Sequence, residues 1–327
     1  MKTLLNKMII LGTCLPLIAA AYPLDGYEDT GIRRLEASRL SHEGVIKGPK
    51  QPAGALLPTD KVDIRLLDHQ EMSFPEPDAA LSAQIKKLLG SDAPHYGITV
   101  LDLSDPDNPR YAEHNGDYKQ NVGSVGKLVV GLAIFQALAG LWPDENDRIR
   151  MLRETIITAN DFSHWDHHTV RMYDVENQKL TRRALKDGDQ ATLWEYLDWM
   201  VSPSSNAAAG MLMHEAMLMR QFGTDYPPTA EQAKHFFAST PRKELSSLFV
   251  KTFIEPLERN GFDPDKFRQA SFFTREGKKR VQGPGSSYAT ARQLMLYGLK
   301  VEQGKLVDEF SSRQLKRLIY VTERRIR

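Results

Sequence analysis

The chain has 327 residues, of which 41% are apolar and 26% charged, so it can bury a large core and belongs to neither the disordered nor the membrane-bundle class. Lys and Arg number 43 and Asp and Glu number 42, and this near-balance argues against a nucleic-acid partner bound through bulk charge. The single cysteine excludes a disulfide framework and a cysteine-based zinc site.

Residues 1–21 are typical of a signal peptide. Lys2 and Lys7 form a positive region ahead of an apolar run over residues 8–18, and three alanines then lead to a cleavage site before Tyr22. The apolar run is too short for a spanning helix, which takes about 20 residues. We therefore expect an exported protein, periplasmic or secreted, with no membrane span after cleavage.

Cys14 lies inside this leader, and a lipoprotein anchor on its thiol is the alternative interpretation of the segment. Thr13 is a poor residue before a lipidated cysteine, and the apolar run continues past Cys14, so simple cleavage is favoured. The mature chain is then free of cysteine and nearly neutral, and we expect it to act as a monomer.

Residues 22–77 are rich in proline, glycine and charge and have weak apolar periodicity. This composition predicts an extended arm with one short helix near residues 33–40. Asp78 is a good N-cap for a helix over residues 79–89, which a glycine then ends. We place the folded domain at residues 78–327.

Two strand candidates come next, at residues 96–103 and 110–114, and the turn residues between them predict a hairpin. Residues 124–141 are apolar on nearly every side, which is typical of a helix at the centre of a domain. Most of the remaining chain is predicted to be helical, over residues 192–200, 206–219, 231–237, 242–259, 288–301 and 312–320. The pattern predicts an α/β fold rich in helices.

Ser124 and Lys127 form an S-x-x-K motif at the start of that apolar helix. Residues three apart share a helix face, so the hydroxyl and the amine would lie side by side. Burial and the positive end of the helix dipole both favour the neutral amine, which can take the serine proton and leave a nucleophile for acyl-enzyme formation. The alternative is a surface helix start with Ser124 as N-cap, which the cost of burying an unpaired lysine argues against.

Ser204, Ser205 and Asn206 follow a predicted helix and a proline turn, directly before a run of small residues that starts the next helix. A hydroxyl here can relay a proton to a leaving group, and a carboxamide can hold both a substrate amide and the lysine. By itself, the triplet is better explained as a helix cap.

S-x-x-K followed by S-x-N resembles the motifs of serine β-lactamases and penicillin-binding proteins. Residues 96–130 resemble the first two strands and the active-site helix of class A β-lactamases, and residues 184–212 and 285–319 resemble later helices. The resemblance covers the chain from Asp78 onward. It implies a β-lactamase/transpeptidase-like fold, in which an all-helical lobe lies beside an α/β sandwich lobe with an antiparallel sheet.

The resemblance also implies roles for the two motifs. Ser124 would be the nucleophile, Lys127 its base or proton partner, and Ser204 a proton shuttle. Asn206 would hold the substrate and the lysine, with Ser205 beside it in the substrate-binding loop. The resemblance implies no cofactor and no metal.

The chain departs from the family pattern at the second position of the S-x-N motif and at the position of the deacylation base. Ser205 replaces an aspartate that usually stabilises the loop. Glu276 is the only acidic residue close to the position of the family's deacylation base, and its surroundings differ from the family pattern. Glu276 is therefore a candidate for the deacylation base, and a solvated loop charge is the alternative. With these departures, the resemblance favours a serine hydrolase over an efficient β-lactamase.

The third family motif, K-[ST]-G on a strand after the last helix, is absent after Ser204. Lys251 and Thr252 begin such a triplet, but they lie in a predicted amphipathic helix. Two strands alone make a marginal sheet, so we expect an incomplete sheet in a C-terminally truncated domain. A natural variant that closes its sheet in another way is the alternative.

Asp161, His164, His167 and His168 suggest a metal site, because His164 and His168 would be neighbours on a helix. No glutamate follows the first histidine and no apolar stripe supports a helix. A loop at the rim of the cleft, with Trp165 and the histidines as packing or substrate contacts, is therefore favoured. The basic C-terminal end is predicted to be an ordinary solvated helix.

The sequence thus favours an exported serine acyl hydrolase that acts on an amide or β-lactam, with a small-molecule or peptidoglycan-derived substrate. One alternative keeps the fold and changes the reaction to that of a peptidoglycan D-Ala peptidase or transpeptidase with slow deacylation. The other is a non-catalytic binding module or an inactive remnant, because the third motif is absent.

Overall fold

The computed structural model describes residues 24–51 and 56–322, so the predicted signal peptide, Cys14 and the last basic residues lie outside the described residues. The helices are α1 (Gly26–Thr30), α2 (Arg33–Glu43), α3 (Ala79–Leu89), α4 (Lys127–Leu141), α5 (Glu145–Glu154), α6 (Leu193–Val201), α7 (Asn206–Phe222), α8 (Ala230–Ser239), α9 (Arg242–Phe253), α10 (Glu255–Arg259), α11 (Arg275–Arg280), α12 (Ala291–Glu302) and α13 (Glu309–Tyr320). The strands are β1 (Ile98–Asp102), β2 (Arg110–His114), β3 (Gln120–Asn121), β4 (Ile156–Thr158), β5 (Val170–Asp174), β6 (Lys179–Arg183), β7 (Gln190–Thr192), β8 (Phe267–Arg268) and β9 (Tyr288–Ala289).

Helix α4 is the centre of the core, and its apolar residues point in every direction. Leu132 and Phe135 are fully buried, and helices α6, α7, α9, α10 and α13 pack against α4. The predicted central helix is therefore confirmed. Its first residues, Gly123–Gly126, form a 3-10 turn that carries Ser124, and Lys127 is the first α-helical residue.

The stretch Gly123–Leu141 is long and apolar enough to cross a membrane by composition alone. Of its most apolar window, 56% is buried inside the protein. A helix that is apolar on all sides is expected at the centre of a packed core, so its place in the fold accounts for its composition.

Helix α7 runs beside α4 and α6, and a loop packs directly on its first turns. A Cβ atom at Gly210 would lie 2.4 Å from the carbonyl oxygen of Phe162, so glycine is required for this close approach. Phe162 belongs to the 3-10 turn Asp161–Ser163. This contact fixes the loop that follows the turn against the start of α7.

The predicted hairpin is confirmed as the antiparallel pair β1–β2, with Ile98 opposite His114 and Asp102 opposite Arg110. The first strand is shorter than the sequence predicted. Helices α3 and α12 both pack against this hairpin. The predicted combination of helices with an antiparallel sheet is therefore present, and the α/β class is confirmed.

Helix α3 has the bounds that the sequence predicted. The Asp78 carboxylate accepts a hydrogen bond from the Leu81 amide at 2.9 Å, and Gly90 ends the helix with a φ of +55°. The leucines and the isoleucine of this helix are only partly covered, since Leu88 is 87% exposed. The capping residues therefore predicted the ends of α3 correctly, but they carry no information on how deeply the helix is buried.

The other strands are short and were not predicted. Strands β5 and β6 form a hairpin, β4 pairs with β7, and β3, β9 and β8 form a three-stranded sheet, all antiparallel. Strand β6 is Lys-Leu-Thr-Arg-Arg, which has no alternation of apolar and polar residues for a sequence pattern to detect. Within residues 24–51 and 56–322, no sheet has more than three strands.

Within the predicted arm of residues 22–77, the short helix expected near residues 33–40 is present as α2, but it packs into the folded domain and is not part of an extended arm. Ile32 and Leu35 are 1% exposed and belong to the main core. The Arg34 guanidinium, 3% exposed, pairs with the Asp198 carboxylate on α6, which is 0% exposed. Arg34 also donates to the Val321 carbonyl at 2.7 Å, so this segment joins α6 to the end of α13.

Two predicted helices divide in the structure. Residues 242–259 break at Ile254, because Pro256 cannot continue the hydrogen-bond ladder and instead occupies the first turn of α10. Lys251 and Thr252 lie in α9 as predicted, and the buried Thr252 hydroxyl donates to the Leu248 carbonyl at 2.7 Å. Residues 288–301 divide into β9 and α12.

Candidate active site

The serine and the lysine of S-x-x-K lie on the turn that leads into α4. The Asn121 carboxamide accepts a hydrogen bond from the Gly123 amide at 2.9 Å, and Gly123 has a φ of +48°, so the chain bends sharply before Ser124. Ser124 is exposed at the surface, whereas Lys127 is only 3% exposed. The turn thus places an accessible hydroxyl above a buried amine.

Lys127 joins the two sequence motifs. Its Nζ atom lies 3.0 Å from Ser124 Oγ, 3.2 Å from Ser204 Oγ and 2.8 Å from Asn206 Oδ1. The Phe273 ring lies over the same amine, with its centroid 4.5 Å from Nζ. The buried lysine therefore has polar partners on two sides and an aromatic face on another.

Ser204 belongs to the turn of residues 202–205 that connects α6 to α7, which we call the Ser204 turn. Ser204 has a φ of +66°, in the left-handed region that a serine rarely adopts. This conformation points the Ser204 hydroxyl at Lys127, and Asn206 follows as the first residue of α7. Sequence reasoning named these residues, and the structure brings Ser124, Lys127, Ser204 and Asn206 together.

Ser205 is the member of the predicted set that lies elsewhere. It is 0% exposed, its hydroxyl accepts a hydrogen bond from the Ala208 amide at 3.1 Å, and it donates to the Asp166 carboxylate at 2.9 Å. Its placement among the substrate-binding residues is therefore corrected, because a fully buried side chain cannot reach a substrate. Ser205 is the N-cap of α7.

Asp166 was missed as a separate candidate by the sequence reasoning. Its Oδ2 accepts hydrogen bonds from Ser205 Oγ and from the Ala207 amide, each at 2.9 Å, and its Oδ1 accepts from the His168 ring at 2.6 Å. Burial raises the pKa of the Asp166 carboxyl, but these hydrogen bonds outweigh burial and lower the pKa overall. Asp166 is therefore a carboxylate at neutral pH.

Glu276 lies on α11, close along the chain to the Phe273 ring that covers Lys127. Its carboxylate pairs with Lys279 Nζ at 2.5 Å, and this hydrogen bond is the main reason that its pKa is lowered. Within the described residues, Glu276 makes no hydrogen bond to Ser124, Lys127 or Ser204. Its role as the deacylation base stays a prediction.

The histidines lie in the loop between the 3-10 turn and β5, and they have different partners. His164 pairs with Asp187 at 2.7 Å, while His168 pairs with Asp166 and stacks on His167 with ring centroids 4.3 Å apart. Donor atoms of Asp166, His167 and His168 lie within 4.8 Å of one another, close enough to hold a metal ion. Both oxygens of Asp166 accept hydrogen bonds from protein groups, which gives this carboxylate a structural role in the loop.

Comparisons with known proteins give a family and several similar solved structures, of which two are described. A family model described as the beta-lactamase enzyme family matches residues 80–325. A solved structure of a beta-lactamase from Sphaerobacter thermophilus DSM 20745 is 14% identical, with a TM-score of 0.37, over 72% of this chain and 65% of that one. A structure of PBP-A is 15% identical, with a TM-score of 0.40, over 75% of this chain and 69% of that one. A comparison with curated proteins gives no match.

Proposed function

The chain belongs to the beta-lactamase enzyme family, and on that basis we propose that it is a serine acyl hydrolase. The family resemblance that the two motifs predicted is thereby confirmed, together with the β-lactamase/transpeptidase-like fold. In the proposed reaction, Ser124 attacks the carbonyl carbon of an amide or β-lactam and forms an acyl-enzyme, which water then hydrolyses.

The contact of Lys127 Nζ with Ser124 Oγ at 3.0 Å carries this proposal. The reaction requires the neutral form of the Lys127 amine, which accepts the hydroxyl proton as the Ser124–carbonyl bond forms, while the carbonyl electron pair moves onto oxygen. When the tetrahedral intermediate collapses, the C–N bond breaks and the leaving nitrogen takes a proton. Ser204 Oγ, 3.2 Å from the same amine, can relay that proton.

Asn206 supports the same reaction in two ways. Its Oδ1 accepts a hydrogen bond from Lys127 at 2.8 Å, which holds the amine toward the two serines. Its NH2 group is then oriented away from the lysine and can donate to a substrate amide. A small substrate or a peptidoglycan-derived one presents such an amide.

The position of Glu276 favours a second candidate, a peptidoglycan D-Ala peptidase or transpeptidase with slow deacylation. Its carboxylate pairs with Lys279 Nζ at 2.5 Å on α11 and, within the described residues, makes no hydrogen bond to Ser124, Lys127 or Ser204. A carboxylate that is held in this way is poorly placed to activate water beside Ser124. The acyl-enzyme would then persist and could be passed to an amine.

Labelling with a fluorescent penicillin tests the proposal. We expect the full chain to retain the dye through denaturing electrophoresis, Ser124→Ala to lose it, and Ser104→Ala, an exposed serine in the β1–β2 turn, to keep it. A folded, unlabelled wild-type protein would instead support the binding-module or remnant interpretation. Turnover of a chromogenic cephalosporin then separates the two enzymes, since fast hydrolysis fits a β-lactamase and slow hydrolysis with strong labelling fits the peptidase.

Export belongs to the same proposal. The leader-like composition of residues 1–21 supports a periplasmic or secreted enzyme that acts as a monomer. Amino-terminal sequencing of the protein from its native host should begin at Tyr22, and a blocked, lipid-modified cysteine would contradict this.

A further inference from the structure

The Asp166 carboxylate holds the chain on both sides of Asn206. Its Oδ2 accepts a hydrogen bond from the Ser205 hydroxyl and one from the Ala207 amide, each at 2.9 Å. Ser204 and Asn206 are the two residues whose side chains contact Lys127 from this segment. One carboxylate oxygen therefore holds the immediate neighbours of both residues that contact the lysine.

The Ser204 turn needs such a contact. Ser204 has a φ of +66°, a left-handed backbone conformation that is strained for an L-residue. Such a conformation persists only where the surroundings fix it. The Ser205 backbone amide donates to the Trp199 carbonyl at 3.0 Å, and the Asp166 side chain, 2% exposed, accepts from the Ser205 hydroxyl and the Ala207 amide.

The loop that carries Asp166 is itself held firmly. On one side of it, Phe162 is buried against Gly210 of α7. On the other side, the His168 ring donates to Asp166 Oδ1 at 2.6 Å and the His168 amide donates at 3.1 Å. A carboxylate near the first turn of a long helix also interacts favourably with the helix dipole. The position of Asp166 is therefore set before any substrate binds.

We propose that Asp166, 39 residues before Ser205 in the sequence, is a positioning residue that holds the Ser204 turn in the geometry needed for acyl transfer at Ser124. This inference rests on the proposed function of Ser124. Asp166 acts through Ser205 and Ala207, without touching the reacting atoms. Loss of its charge should release the turn and let the Ser204 hydroxyl leave Lys127.

Three variants test the proposal with two readouts. Asp166→Asn removes the negative charge. The double variant Asp166→Ser with Ser205→Asp exchanges the two partners of the Ser205–Asp166 hydrogen bond, so that the carboxylate lies at position 205. The control is Asp187→Asn, since Asp187 pairs with His164 of the same loop but makes no contact with the Ser204 turn. The readouts are hydrogen exchange of the amides in residues 205–207 and the rate of penicillin labelling at saturating reagent, with thermal melting as a check on folding.

In Asp166→Asn, we expect faster exchange in residues 205–207 and acylation slowed about 10- to 100-fold at saturation, the size expected for a misplaced catalytic group. The exchanged pair should regain a large part of the rate, and Asp187→Asn should behave as wild type. Unchanged exchange in Asp166→Asn would overturn the proposal, and so would raised exchange with an unchanged labelling rate. If the wild type is not labelled, the proposed function fails, while the exchange measurement still decides whether Asp166 holds the turn.

Discussion

Helix α7 contributes to two polar clusters, and they differ in access to solvent. At its first turn, Asn206 joins the group around Lys127, above which Ser124 is exposed. More than two turns further along, His214 Nδ1 lies 2.8 Å from Glu215 Oε1, and the Tyr226 hydroxyl donates to Glu215 Oε2 at 2.7 Å.

The second cluster is closed. Its three residues are between 4% and 8% exposed, and the centroid of the His214 ring lies 4.7 Å from those of the Phe162 and Phe237 rings. Both clusters are hydrogen-bonded, so hydrogen bonding alone does not distinguish a catalytic group from a structural one. Two other features distinguish them, which are access to solvent and a residue in a strained backbone conformation. Of the two clusters, only the one around Lys127 has both features. Substitutions in the cluster around Lys127 should therefore change the reactivity of Ser124, and substitutions in the closed cluster around Glu215 should change the stability of the fold.

The largest effect is expected from Lys127→Met, which removes the amine and keeps the apolar stem. Acylation of Ser124 should fall about 100- to 10,000-fold, the range for loss of a general base. The measurement is the second-order rate constant for labelling by a fluorescent penicillin. Lys278→Met, which changes an exposed lysine on α11, should leave the rate unchanged, and a Lys127→Met protein that labels at the wild-type rate would contradict the assigned role.

The converse effect is expected from Tyr226→Phe in the closed cluster. Burial, first of all, and the neighbouring Glu215 raise the pKa of Tyr226 well above its usual value, so the hydroxyl is protonated and donates. Its removal leaves Glu215 Oε2 without this donor and should lower the free energy of unfolding by about 1–3 kcal/mol. Denaturant titration measures the loss, with the exposed Tyr96→Phe as control. Slower labelling of the folded Tyr226→Phe protein would mean that the two clusters are coupled.

The sequence predicted the local features of the fold well. Asp78 and the glycine after residue 89 are capping residues, and they set the ends of α3. The turn between β1 and β2 and the S-x-x-K spacing are likewise decided by neighbouring residues. Such features depend on near neighbours in the chain, and near neighbours are visible in the sequence.

The features that it missed depend on distant residues. Arg34 looked like a charge on a loose arm, and only the fold reveals Asp198 beside it. Asp166 was hidden among the histidines of its loop, although the serine at position 205, where the resemblance leads one to expect an acid, was a signal to search for a carboxylate elsewhere. The apolar residues of α3 are likewise not buried, because the spacing of apolar residues in a helix does not show whether another element covers them.

A smaller effect is expected in the pH dependence of stability. The pKa of Asp166 in the folded protein lies below the ordinary value of 3.8, so its stabilising contribution is present above that pH and is lost as the pH falls below it. The difference in thermal stability between wild type and Asp166→Asn should be nearly constant from about pH 7 to pH 5 and should shrink in stronger acid. His168 contacts Asp166, and the His167 ring stacks on the His168 ring. His168→Asn therefore serves as the control for histidine protonation. A difference that disappears near neutral pH would implicate the histidines.

The smallest effect is expected from Glu276→Gln. Because Lys279 holds this carboxylate on the surface of α11, we expect acylation and deacylation to change less than about threefold, as for an exposed ion pair. Release of the dye from pre-labelled protein measures deacylation. If release slows by orders of magnitude while labelling is unchanged, Glu276 is the deacylation base that the family resemblance implied.

The central claim is that Ser124 is the nucleophile, and peptide mapping of the acylated protein tests it most directly. After reaction with benzylpenicillin, mass spectrometry should place one acyl group on Ser124 in the wild type and in Tyr226→Phe, and none anywhere in Ser124→Ala. An acyl group on Ser204, or one that persists in Ser124→Ala, would contradict the account.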